Sequence, residues 1–66
     1  MSEPFPTIEN TAAWDLAKLR RKRDQAWEMA GLARKDNDMT DAHNQTLIAR
    51  ELSKIIGERL RAGETG

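Results

Sequence analysis

Apolar residues recur at steps of three and four along two separate stretches of the chain. The first stretch, from Thr11 to Lys35, contains no proline and is rich in alanine, leucine, lysine and arginine, which all favour helix. One side of it collects Ala12, Leu16, Leu19, Ala26, Ala30 and Ala33. This spacing predicts an amphipathic helix over about 11–35, capped by Asn10 or Thr11, with Arg23 interrupting the apolar stripe.

The second stretch has the clearer apolar face. Its members are Ile48, Ala49, Leu52, Ile55, Ile56 and Leu60, with Ala42 and Gln45 one turn earlier. They predict a second helix over about 41–62, which Asp38 or Thr40 would cap. Gly63 follows as a natural C-terminal stop.

Between and around these stretches the chain favours turns and tails. Pro4 and Pro6 predict an extended N-terminal arm over 1–9, and Asp and Asn predict a turn over 36–40. Residues 64–66 are expected to fray. A connection this short makes neighbouring helices antiparallel. Residues 10–63 are therefore predicted to form an all-α, antiparallel two-helix hairpin.

A hairpin of this size needs help to stay folded. The chain has 66 residues and no cysteine, and one small core supplies only about 3–5 kcal/mol. One neighbouring helix cannot cover Ile48, Ile55 and Ile56 together, so we expect two hairpins to pair as a homodimeric four-helix bundle. The residues predicted to form this core and dimer seam are Leu16, Leu19, Ala26, Ala30, Ala33, Ile48, Leu52, Ile55, Ile56 and Leu60.

Composition excludes several classes of function. The lone histidine, His43, cannot hold a structural metal by itself, and we expect no cofactor or metal. No phosphate loop, nucleophile elbow or metalloprotease motif is present, which predicts that the chain is not an enzyme. The apolar runs are too short to span a membrane, and the N-terminal region lacks secretory-signal character. A cytoplasmic location is the expectation.

The densest cluster of charge lies at 18–23, although the net charge of the chain is zero. Five of these six residues are basic: Lys18, Arg20, Arg21, Lys22 and Arg23. Three interpretations are open: a solvated helix face, a phosphate-binding patch for nucleic acid, or an anchor for an acidic protein surface. Trp14 and Trp27, thirteen residues apart, are predicted to share one side of the first helix, as core or as a binding hot spot.

The layout of two helices, an acidic turn and a seam of small residues resembles the plasmid copy-number regulator, a dimeric four-helix bundle that binds paired RNA loops. The chain is also similar in kind to small bacteriophage accessory proteins that inhibit host proteins by direct binding. We therefore expect a protein-binding inhibitor or modulator, located in the host cytoplasm if a phage encodes it. The alternative is a small dimeric regulator that binds RNA or DNA through 18–23. Both expectations place the partner-binding residues at 18–23, Trp14 and Trp27.

Overall fold

The computed structural model describes residues 5–64, and within that range it contains two α-helices and no strand. Helix α1 spans Leu16–Lys35 and helix α2 spans Met39–Arg61. Near the turn, Arg34 contacts Thr46, whereas Arg59 contacts the backbone of Trp14 at the far end. The two helices therefore run antiparallel, and the predicted helical hairpin is confirmed. Residues 1–4 of the predicted arm and 65–66 of the predicted tail lie outside the described residues.

Helix α1 begins at Leu16, five residues later than the predicted start. Asp15 has an extended backbone, and its carboxylate accepts a hydrogen bond of 2.7 Å from the amide of Lys18. That bond satisfies one of the free amides of the first turn, so Asp15 is the cap. Thr11, one of the predicted caps, instead directs its hydroxyl backwards to the carbonyl of Thr7, at 2.7 Å.

The N-terminal segment (residues 5–15) is not the extended arm that the prolines predicted. Residues 8–13 form turns, and the hydroxyl of Thr7 accepts from the amide of Asn10 at 3.1 Å. The amide of Thr11 then donates to the carbonyl of Thr7, as in one helical turn. Pro6 and Thr11 are buried. The segment is therefore packed onto the hairpin, where the carbonyl of Thr11 accepts a hydrogen bond from the guanidinium of Arg59 on α2.

The connection between the helices has three residues, 36–38, and is shorter than the predicted turn over 36–40. The amide of Asp38 donates to the carbonyl of Ala33 and that of Asn37 to the carbonyl of Arg34. With Asn37 at φ 58°, this is a Schellman motif with asparagine in the left-handed position. Asp38 then caps α2 by accepting from the amide of Asp41 at 3.1 Å. Asp38 thus takes part both in the C-terminal cap of α1, through its amide, and in the N-terminal cap of α2, through its carboxylate.

The buried side chains in the seam between the helices differ in size from one end to the other. At its open end a cluster of large side chains is buried: Leu16, Leu19, Leu52, Ile55 and Ile56. Of the three isoleucines expected to need a second hairpin for cover, Ile55 and Ile56 are thus buried within one hairpin, and Ile48 alone stays partly exposed. Towards the turn the buried residues are all alanines, namely Ala26, Ala30, Ala33, Ala42 and Ala49. The seam positions follow a seven-residue repeat in both helices, which is the pattern of a coiled coil. Small side chains thus occupy the seam near the short turn, and bulky ones fill its open end.

Three residues of the predicted apolar stripes are not fully buried. Leu60 is 46% exposed and Ala12 is exposed, while Ile48 is partly buried against the core cluster. Ala12 precedes α1, so the helical spacing that placed it on the stripe does not apply. Leu60 lies on the last turn of α2, where α1 has already given way to the N-terminal segment.

Candidate functional site

A groove of about 520 Å³ runs along one side of the hairpin, between the two helices. Its apolar lining comes from Trp14, Ala26, Met29, Ile48 and Leu52, with Pro6 at one end. Its polar lining comes from Lys22, Gln25, Asp41, Asn44 and Gln45. Met29 is 46% exposed, and Ile48 and Trp14 are partly buried. The groove therefore presents apolar side chains to solvent within a polar border.

The predicted binding residues are divided between different sides of α1. Lys22 lines the groove, and the ammonium of Lys18 lies 4.6 Å from the centre of the Trp14 ring, which is the geometry of a cation–π contact. At about 100° per residue, Arg20 and Arg23 project to the side of the seam opposite the groove, and Arg21 projects from the back of the helix. The five basic residues thus surround α1 and do not form one patch.

The two tryptophans are also separated, contrary to the prediction that they share a side. Trp14 precedes α1, so its position is fixed by the folded N-terminal segment and not by helical spacing. It lies against the core cluster and lines the groove. Trp27 is 43% exposed and projects to the side opposite the groove. Trp14 is accordingly part of the core margin, and Trp27 is a surface aromatic residue.

The side opposite the groove, which we call the arginine face, is defined by Arg20, Arg23, Trp27, Gly31 and Arg34 on α1 and by Thr46, Arg50, Ser53 and Gly57 on α2. The contact of 3.5 Å between the Arg34 guanidinium and the Thr46 hydroxyl shows that these two flanks meet on one side. Arg23 is paired with Asp24 at 3.2 Å. Arg20, Arg34 and Arg50 are exposed.

Arg59 is the residue that the sequence reasoning missed. Its guanidinium donates to the carbonyls of Trp14, Thr11 and Ala12, the last two at 2.6 and 3.3 Å. It also lies 3.6 Å from the carboxylate of Glu64, and its side chain is 19% exposed. Arg59 continues the seven-residue repeat of α2 after Leu52 and Ile56. A charged residue at a seam position requires a partner, and that signal was present in the sequence.

The described residues include neither a metal-binding cluster nor a helix suited to cross a membrane. Among residues 5–64, no group of three His, Asp or Glu side chains is placed to hold a metal ion. His43, the lone histidine, is exposed. Neither helix in the described part of the chain is long and apolar enough to cross a membrane.

The comparisons with known proteins add no relative. No family model matches the chain, and neither a curated protein nor a solved structure is significantly similar to it.

Proposed function

We propose that this protein is a protein-binding module without enzymatic activity, whose groove receives helices of another protein chain. The observation that carries the proposal is the groove itself, where Met29 and Ile48 present apolar surface between two helices. Amphipathic helices bind to such grooves through apolar anchors spaced along one face. A module of this kind acts as an inhibitor or adaptor by occupying a surface of its partner.

The first occupant in this proposal is a second copy of the chain. Two hairpins joined groove to groove form a four-helix bundle, and a two-fold axis allows each groove to cover the other. Pairing would cover Met29 and Ile48 and complete the layer that one hairpin leaves open. The proposal also assigns the protein to the cytoplasm, and to the host cytoplasm if a phage encodes it.

Two observations weigh against the alternative of a nucleic-acid regulator using 18–23. The basic side chains surround α1, so few of them reach one phosphate backbone together. Lys18 and Arg23 are also engaged, by Trp14 and Asp24 respectively. A phosphate-binding surface normally concentrates its cations on one face or stripe. The protein-binding proposal therefore fits the distribution of charge better.

Light scattering over a range of protein concentrations and at two salt concentrations tests the dimer. We expect the mass of two chains at both salt concentrations, and a single chain for Met29→Glu, because a buried unpaired carboxylate opposes groove-to-groove pairing. Leu47→Glu is the matched control, since Leu47 is 39% exposed and projects from the outer side of α2. Far-UV circular dichroism verifies that each variant remains helical.

Two results would remove the proposal. A monomeric wild-type protein at all concentrations would refute the dimer, and an unaffected Met29→Glu dimer would show that the interface lies elsewhere. Association that requires added RNA or DNA and declines steeply with salt would favour the nucleic-acid alternative.

A further inference from the structure

Trp27 is the most prominent apolar side chain on the arginine face. It is 43% exposed although it is large, and it is followed one turn later by Gly31. A methyl group added at Gly31 would meet nothing within 4 Å. The surface beside the indole ring is therefore open, and a partner side chain has room to lie against it.

The α2 side of the same face has low relief. Apart from Arg50 its side chains are small, and the hydroxyls of Thr46 and Ser53 donate to the carbonyls of Ala42 and Ala49, at 2.8 and 2.9 Å. Gly57 continues this row and also has open space around it. Because these hydroxyls are turned back onto their own helix, the row offers a shallow floor beside Trp27.

The charge of this face has one sign. Arg20, Arg34 and Arg50 are exposed on it, and the carboxylate of Asp24 on the same helix is paired with Arg23. Its cations are all arginines, whose planar guanidinium groups bind carboxylates through two parallel hydrogen bonds. An exposed tryptophan surrounded by arginines has the composition of a protein-binding hot spot.

From these observations we infer that the arginine face binds an acidic protein segment that carries a large apolar side chain. The apolar side chain lies on Trp27 beside Gly31, and the flanking carboxylates pair with Arg20 and Arg34. Since the net charge of the whole chain is zero, a long-range field that attracts nucleic acid is absent, and a short acidic segment fits the charge better. The inference rests on the proposed function, because it names the partner of the same binding module.

The test is a titration with a short synthetic peptide of glutamates and aspartates around one leucine–phenylalanine pair. Trp27 fluorescence is followed in a Trp14→Phe background, and chemical shifts of the arginine side chains are followed by NMR. We expect saturable binding that Trp27→Ala weakens about tenfold or more, and that Arg20→Gln with Arg34→Gln weakens to a similar extent. Arg21→Gln, at an exposed position on the back of α1, is the control and should bind as the wild type does.

Two further titrations distinguish between the possible kinds of partner. An all-acidic peptide without the apolar pair should bind at least about tenfold more weakly, and a single-stranded oligothymidine should bind no better than that peptide. Equal binding of the two peptides, absence of binding, or a preference for the oligonucleotide would overturn the inference. Repeating the titration with Met29→Glu separates the two proposals. The mass of this variant reports whether the groove forms the dimer, and the titration reports whether the arginine face still binds the peptide.

Discussion

Replacing Arg59 by methionine tests how the N-terminal segment is held on the hairpin. Methionine keeps an unbranched apolar stem but cannot donate to the carbonyls of Thr11, Ala12 and Trp14. We expect the segment to detach and the hairpin to lose stability. The seven-residue repeat of α2 includes this position, but only the tertiary structure shows which carbonyls its guanidinium binds.

The size of the effect can be worked out from the contacts. A hydrogen bond from a charged donor contributes about 1.5–3 kcal/mol, and the bond to Ala12, at 3.3 Å, counts little. Two bonds at the lower limit give about 3 kcal/mol. Rehydration of the released carbonyls reduces the expected loss to about 2 kcal/mol. A small domain with a stability of about 3–5 kcal/mol would then be close to unfolding.

Urea unfolding followed by circular dichroism measures the loss, and hydrogen exchange of the Thr11 and Trp14 amides locates it. Both amides donate to carbonyls within the N-terminal segment, so they should lose protection before the amides of α1 do. Arg61→Met, an exposed arginine in the same last turn, is the matched control. A change below about 0.5 kcal/mol for Arg59→Met, within the range of ordinary surface substitutions, together with unchanged protection, would refute the reasoning.

Substitutions at three further positions test the helix connection, the seam and the surface of α2. Asn37→Ala should lower the free energy of unfolding by about 1 kcal/mol and Asn37→Gly should not, because only the alanine is strained at φ 58°; equal midpoints in urea would contradict this. Ala30→Leu should cost about 1–3 kcal/mol, since Ala30 is fully buried in the alanine-lined part of the seam; thermal unfolding measures it, and an unchanged melting temperature would mean that the seam has spare volume. Gly57→Ala should stabilise the hairpin by about 0.5–1 kcal/mol, because the added methyl group meets nothing within 4 Å. A lower melting temperature for Gly57→Ala would show that this glycine is needed by the fold.

The basic residues of 18–23 lie on different sides of α1, so they are parts of different surfaces of the protein. Along the sequence, residues 18–23 look like one feature, and the natural hypotheses treat them together. In the hairpin Lys22 borders the groove, Arg20 lies on the arginine face and Arg21 projects from the back of α1. Mutating all of them together would mix the groove with the arginine face, so the experiments above change Arg20 without changing Lys22.

Local chemistry in the sequence was sufficient to predict the two helices and their antiparallel pairing. The three- and four-residue spacing selected the buried residues Leu16, Leu19, Leu52 and Ile56, because burial of a helix follows its periodicity. The two ends of α2 also follow from local chemistry. Asp38 begins the helix because its side chain accepts a hydrogen bond from a free amide, and Gly63 follows its end because glycine adopts the left-handed backbone there.

Only the tertiary structure determined the conformation of the N-terminal segment and the residue that caps α1. Thr11 and Asp15 are both good caps by composition, and the choice of Asp15 depends on packing of the N-terminal segment against α2. That packing requires Arg59, whose partners lie 45 to 48 residues away along the chain. Helical spacing cannot place Trp14, which stands outside the helix, and so it could not separate the two tryptophans. Periodicity describes positions within one element, whereas contacts between distant segments depend on how the whole chain packs.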